Sequence, residues 1–468
     1  MEETISSPKE RTAFPNVFWV ANIIEVLERF AYYGIYIPFG IYMTSLGFSE
    51  LQLGIVQSLF LFVSYFIPIF SGTFADRFGF KKVLIISYLA YLPSILLLIV
   101  AKTYSEILLT MLCVGLAAGI FKPLIAGTVR VVTDKTNKTL GFGIFYQMVN
   151  VGASLGPIVV GLLRDKNWNY AFYAAAIGAA LMLLITIFFY KEPKREIEKI
   201  TLRKKFADIL TALSDLKFLA FLVILGVFFW LPFWAFFNLI ALYVDRNLDT
   251  SRLYLALKSV TWTGFANFFS TYDDGVWKLK GEMLGHTGYM IMIFQFMVSR
   301  VSEKLKAIPT FLSGLLIAAV GLVIIGLANI SAPTLVFLGI FLFAIGEMVS
   351  SPRIQEYITW LAPKEKAGLY MGSNFLAIMI GAFLSGFTYT FLYGFLQKIG
   401  MAQFTWYLIA VHLIAGTIII YFFMRTGREL KERGVKESGT GLNFSFEETY
   451  VRLFIVFCIK KWKIDLIS

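Results

Sequence analysis

Residues 16–43 read NVFWVANIIEVLERFAYYGIYIPFGIYM. At 1.5 Å of rise per residue, a helix of this length crosses the ~30 Å of hydrocarbon in a bilayer. It is too long for a cleaved signal peptide, lacks a small-residue cleavage site after a short apolar core, and carries Glu25, Glu28 and Arg29. Glu25, Glu28, Arg29, Tyr32 and Tyr36 recur at helical spacing and share one face. An ionisable face is costly in hydrocarbon, so it must look into a bundle or a wet cavity. A static ion-pair network would use the same face. Two carboxylates beside one arginine, however, leave a surplus acid that can exchange a proton.

The rest of the chain agrees with a membrane reading. Of 468 residues, 58% are hydrophobic and 15% charged, against about 25% charged in a soluble domain. A soluble protein could not hide that much apolar surface. Twelve spans are expected, at 16–43, 51–74, 82–101, 106–132, 140–163, 169–190, 216–244, 284–303, 308–328, 332–361, 367–396 and 402–424. The expected class is an all-α membrane protein of two six-helix bundles, 1–190 and 216–425, with a linker at 191–215 and a tail at 426–468. The net charge of +12 does not indicate a nucleic-acid partner, because the Lys and Arg residues sit in breaks between apolar runs. Most fall on the side of the termini, which places both termini in the cytoplasm and the chain in the plasma (inner) membrane, in contact with lipid. The basic linker KEPKREIEKITLRKKFADILTALSD reads as a solvated connection. The 245–283 loop, with Trp262, Phe265, Phe268, Phe269 and Trp277, should lie outside, without an assigned role. In the tail, LFIVFCI (453–459) is too short to cross and fits the membrane interface. Cys113 and Cys458 make no disulfide framework, and His286 and His412 make no metal cluster, so neither metal nor cofactor is expected.

Other polar residues interrupt the apolar runs. GIFKPLIAG (119–127) puts Lys122 mid-span, before a proline that exposes backbone carbonyls. Its anion is Glu25, Glu28 or a substrate carboxylate. FAIGEMVSSP (343–352) carries Glu347, and FYQMVNVGASLGP (145–157) carries Asn150 beside Gly152, Gly156 and Pro157, which permit close packing or bending. A zwitterion fits between these groups, its carboxylate near Arg29 and Lys122 and its amine near Glu347. No nucleophile–base pair, metal-ligand spacing or phosphate loop is present. The two histidines have no carboxylate nearby in sequence, so an acyltransferase or other enzyme is a poor reading. GTFADRFGFKK (72–82) and SRVSEKLKAIP (299–309) stand at equivalent places in the two halves. Such internal duplication is common in transporters that bind substrate between their halves.

GTFADRFGFKK resembles the loop signature of the major facilitator superfamily, and EVLERFAYYG (25–34) resembles the span-one signature of its proton-dependent oligopeptide transporter family. GIFKP, FYQMVNVG, GEMVSSP and LAPKEKAGLYMGS (361–373) are similar to that family's spans four, five and ten. The resemblance implies two six-helix bundles rocking about a central site. It implies proton coupling through Glu25, Glu28 and Glu347. It implies carboxylate binding by Arg29 and Lys122, a pocket lined by Tyr32, Tyr33, Tyr65 and Asn150, and a peptide amine at Glu347. Gly72, Asp76, Arg77 and Gly79 are implied as a conformational latch. Two places depart from the family. Tyr36 stands where many members have arginine, and Trp234 and Ala235 in FFWLPFWAFFN (228–238) stand where an acid or glutamine is usual. An outer-gate ion pair is therefore expected to be missing from both sides. The two additional spans of many bacterial members are also absent between the halves.

These residues describe a proton-coupled symporter for di- or tripeptides or peptide-like zwitterions, acting as a monomer. The alternatives are a facilitator-type carrier for an organic anion or drug, or a non-transporting receptor.

Overall fold

The computed structural model describes residues 13–134, 137–194, 204, 207, 210–211, 213–284, 287–302, 305–361 and 367–426. Most of the 191–215 linker, His286, and the tail with its 453–459 run lie outside the described residues. The chain is an all-α membrane protein with the twelve-helix, two-bundle architecture of the major facilitator superfamily. Ten helices among the described residues are long and apolar enough to cross a membrane. The places of spans one and eight are filled by Asn16–Tyr36, with its three charged residues, and by Gly288–Ser302.

Local sequence sets the helix ends. Ser49 opens span two (Glu50–Phe78) with a capping box closed by Gln52. Thr103 and Glu106 do the same for span four (Tyr104–Val132). Each box satisfies backbone N–H groups that the first turn leaves open. Span one ends sooner than its apolar run. Pro38 lacks an N–H and cannot continue the hydrogen-bond ladder; Ile37 stays helical (φ −63°, ψ −47°), Pro38 opens to ψ 0°, and the chain resumes as the short helix Phe39–Ser45. At the other end of span two, Gly79 holds φ +89°, a value that favours glycine. There the Glu192 carboxylate accepts the backbone N–H groups of Phe80 (2.9 Å) and Lys81 (2.7 Å), capping span three (Phe80–Val100).

Glycines govern how closely the helices cross. Within the first half, span one lies on span five (Lys138–Arg164). A Cβ on Gly156 would sit 2.7 Å from the Gly34 nitrogen, and one on Gly152 2.7 Å from Arg29 Cβ. Within the second half, Gly346 of span ten (Leu335–Leu361) lies against Gly314 and Ala318 of span nine (Ala307–Leu327). Between the halves, a Cβ on Gly54 of span two would meet the Gly386 carbonyl of span eleven at 2.5 Å. Gly386 opens a π-helical turn, Gly386–Thr390, and span seven has its own at Gly226–Trp230.

The 245–283 segment is ordered rather than an open loop. After span seven closes at Asn247 come the helices Thr250–Val260 and Thr263–Phe268. An antiparallel hairpin follows, Ser270–Asp273 paired with Val276–Leu279. Its turn residues Asp274 and Gly275 both have positive φ, 51° and 80°, as a two-residue hairpin turn matching strand twist requires. The segment lies on the loop face opposite the termini, here termed the distal face.

Candidate functional site

The charged face of span one points inward. Glu25 and Glu28 are fully buried, and Arg29 keeps 15% side-chain exposure. Arg29 Nε donates to Glu25 Oε1 at 2.7 Å, while Nη1 stands 3.7 Å from Glu28 Oε1. Both Glu28 oxygens lack a hydrogen-bond partner, as does Glu25 Oε2. One arginine therefore engages one acid closely and leaves the other under-satisfied. In low dielectric a buried carboxylate whose oxygens accept no hydrogen bond is expensive, so this one is open to a proton or a second cationic partner.

Lys122 is buried on span four. Its Nζ donates to Ser64 Oγ at 2.8 Å and lies 4.1 Å from the Tyr32 ring centroid and 4.2 Å from that of Tyr65. Two aromatic faces and a hydroxyl stabilise the ammonium through cation–π attraction and one hydrogen bond. Among the described residues no carboxylate lies within ion-pair distance of it. Glu25 and Glu28 thus act on Lys122 through the field rather than by contact. Ser64 is its one hydrogen-bond partner among the described residues.

The second half contributes Glu347, whose Oε2 accepts from Thr287 Oγ1 at 2.7 Å. Tyr33 lies in electrostatic range of Arg29, Glu25 and Glu28 on its own helix and of Glu347 from span ten. Tyr146 of span five likewise interacts with Glu347, and its carbonyl accepts from Asn150 Nδ2 at 2.9 Å. Asn150 therefore spends a donor on its own helix. The signature loop stands at the end of span two. Gly72, Asp76 and Arg77 occupy the last turns of span two beside Gly79, on the face that holds the termini, where the Arg77 guanidinium lies 5.2 Å from the Phe78 ring centre.

Where the family resemblance implied an outer ion pair, the chain builds an uncharged contact. The Tyr36 ring meets Trp234 edge-on at 5.8 Å between centroids, and Tyr65 meets Trp234 at 5.4 Å. The Tyr36 hydroxyl donates to Asn238 Oδ1. Asn238 Nδ2 in turn donates to Ser385 Oγ (3.0 Å). Gln57 closes the layer, donating to the Asn238 carbonyl (3.3 Å) and accepting from Thr390 (2.9 Å). Distal to this layer are ion pairs that sequence reading did not single out. Arg246 binds Glu50 at 2.8 Å, Arg164 binds Asp245 at 3.3 Å and also Glu282, and Lys280 binds Asp165 at 2.6 Å. Asn238 and Gln57 left a usable signal, each a lone amide in an apolar run. The ion pairs left none, because charged residues at span ends are ordinary.

The sequence profile described as Major Facilitator Superfamily matches residues 18–272. Quinolone resistance protein NorA of Staphylococcus aureus (strain MSSA476) is 26% identical over 241 residues, 51% of this chain and 61% of that protein. The match thus spans less than two thirds of that relative. A solved POT family transporter in complex with a thioalcohol conjugated peptide superposes with TM-score 0.69 at 21% identity, over 87% of this chain and 96% of that one. A POT family transporter in complex with 5-aminolevulinic acid gives 0.68 at 20%, over 92% and 100%. At these identities the structural likeness establishes the shared fold.

Proposed function

Because the chain belongs to the major facilitator superfamily, we propose that it is a proton-coupled symporter for di- or tripeptides or peptide-like zwitterions, working by alternating access in the plasma membrane as a monomer with both termini cytoplasmic. The observation that carries this reading is the state of Lys122. It is buried, caged by Tyr32 and Tyr65, hydrogen-bonded to Ser64, and among the described residues has no carboxylate in contact. A substrate carboxylate completes it. Glu347 is the group assigned to the amine, and Tyr33, in electrostatic range of both Glu347 and Arg29, supports that assignment. The ligands of the two solved neighbours, a thioalcohol conjugated peptide and 5-aminolevulinic acid, include the zwitterionic class this arrangement would bind.

Coupling then follows from charge. With Glu25 and Glu28 ionised, Arg29 is held on span one. A proton on Glu28 or Glu25 removes that competition and frees Arg29 for the substrate carboxylate beside Lys122. A ligand shifts a conformational equilibrium only through its differential affinity for the two states. Proton and carboxylate meet that condition because both act on Arg29. The distal side, where the halves are bonded through Tyr36–Asn238 and Gln57–Thr390, is the outside gate in this reading.

A second reading, a carrier for an apolar or drug-like solute, is favoured by Trp234. It supplies an aromatic roof over Tyr36 and Tyr65 where an acid is usual, and NorA is a quinolone resistance protein. Counterflow of labelled dialanine in proteoliposomes, with and without an imposed proton gradient, tests the first reading. Dialanine exchange driven uphill by the gradient supports it. No dialanine exchange, together with a thermal shift from non-peptide solutes only, favours the second.

A further inference from the structure

The turn that ends span seven holds two consecutive charged residues of opposite sign, and each is paired with the first half. Asp245 faces Arg164, and Arg246 faces Glu50. On the Asp245 side the segment after the hairpin returns to join the same cluster. Lys280, 2% exposed, binds Asp165 and donates to the Gly161 carbonyl, and Glu282, fully buried, binds Arg164. The ordered 248–284 segment is thereby strapped to the distal end of span five.

The cluster does not balance. Arg164 and Lys280 supply two positive charges, and Asp165, Asp245 and Glu282 three negative ones. Asp165 and Asp245 keep about a third of their surface, 32% each, so water carries part of their charge. Glu282 has no such relief: Oε2 is buried with no hydrogen-bond donor. The groups around it are Arg164 and Asp165 from the end of span five, Asp245 from span seven, Lys280 on its own segment, and Tyr289 from span eight. We propose that this strap is a second proton-binding site, in which a proton on Glu282 locks the distal gate shut.

The proposal rests on the alternating-access reading and not on the identity of the solute. Glu282 lies between spans, and burial pushes its carboxyl up, against a smaller downward pull from Arg164. When the halves part, Glu282 meets water and returns to the ordinary carboxylate range. The closed gate therefore binds the proton more tightly than the open one. Closure is favoured as pH falls through the raised value, and the effect saturates below the ordinary carboxylate range. Acid on the distal side would then help to close the gate behind an incoming proton and substrate.

Spin labels at Leu46 and Ile330, exposed on the distal face of the two halves, report opening by double electron–electron resonance in nanodiscs between pH 5 and pH 8.5. The open-to-closed ratio of the wild type should fall on acidification, by about tenfold for each unit separating the two carboxyl values. Glu282→Gln, which keeps the shape and the bond to Arg164, should stay closed and lose this component. Asp245→Asn removes the surplus charge and should move the midpoint to lower pH, which keeps the test alive if Glu282→Gln folds poorly. A Glu282→Gln titration superimposable on the wild type, or no midpoint change in Asp245→Asn, overturns the proposal. A wild-type distance unchanged at every pH overturns it too, and counts against alternating access as well.

Discussion

The Tyr36 hydroxyl of span one donates a hydrogen bond to Asn238 of span seven, joining two residues 202 positions apart across the boundary between the halves. The bond sits in an uncharged layer completed by Ser385, Gln57 and Thr390. Removing the hydroxyl leaves a buried acceptor short of one donor in the closed state alone. A hydrogen bond of this kind is worth about 1 kcal/mol, so Tyr36→Phe should move the distal open-to-closed ratio about fivefold toward open. Accessibility of a cysteine introduced at the distal mouth reads this directly. An unchanged labelling rate would show that the bond does not hold the gate.

The same layer admits a stronger test. Tyr36 and Trp234 touch edge to face at the place where the family resemblance implies an ion pair. Tyr36→Arg or Trp234→Glu alone puts one buried charge in that contact, a change expected to cost about 3–5 kcal/mol. The double variant restores an opposite-charge pair and should recover most of the loss, giving a coupling energy above ~1 kcal/mol in a thermal-stability cycle. Additive single and double losses would mean that the two positions do not face each other closely enough to pair.

Lys122 separates the zwitterion reading from its rival. Lys122→Gln keeps a donor for Ser64 but gives up the charge, so a carboxylate substrate should bind at least about tenfold more weakly, as expected for a charge-assisted bond. A neutral lipophilic solute should bind as before or better. Equilibrium binding to the purified protein distinguishes the two, and equal losses for both solutes would assign Lys122 a structural role.

How far the sequence carried this reading depends on separation along the chain. The inward face of span one was legible because Glu25, Glu28, Arg29, Tyr32 and Tyr36 repeat at helical spacing, and periodicity is a local property. Pro38 was a visible break, but the unbroken apolar run around it masked the turn. The TYDDGVWKL stretch carried a hairpin signal in Asp274–Gly275 that the long-loop reading passed over. The gate was not legible, since Tyr36–Asn238 and Arg164–Glu282 join residues 202 and 118 positions apart. Nothing in a single sequence pairs them. The Lys122 cage lay between these cases: Tyr32 came from helical spacing and Tyr65 from family likeness, whereas Ser64, next to Tyr65, is one of many serines and gave no sign.

Coupling should fail in a specific way when the surplus acid is removed. Glu28 lacks hydrogen-bond partners on both oxygens, whereas Glu25 holds Arg29 at 2.7 Å. Glu28→Gln mimics the protonated form, so solute exchange at equal concentrations should persist while accumulation driven by a pH gradient is lost. Uphill uptake surviving in both Glu28→Gln and Glu25→Gln would remove span one from the proton path.

Two glycine crossings should respond oppositely to the same change. Gly156 meets Gly34 inside the first half, and Gly54 meets Gly386 between the halves. A valine at 156 has no state of the protein in which it fits. Overpacking of this kind costs about 1–3 kcal/mol, and because span one is displaced with its charged face, both melting temperature and transport should drop. A valine at 54 clashes only while the distal gate is closed. The halves can part and relieve it, so Gly54→Val should melt near the wild-type temperature and label readily at the distal mouth. Its transport should stop because the carrier is held open on that side. The two variants together ask whether the halves are separate rigid bodies: a Gly54→Val protein that melts as low as Gly156→Val, with no gain in distal labelling, would mean that the span two–span eleven crossing is part of one continuous core rather than a gate.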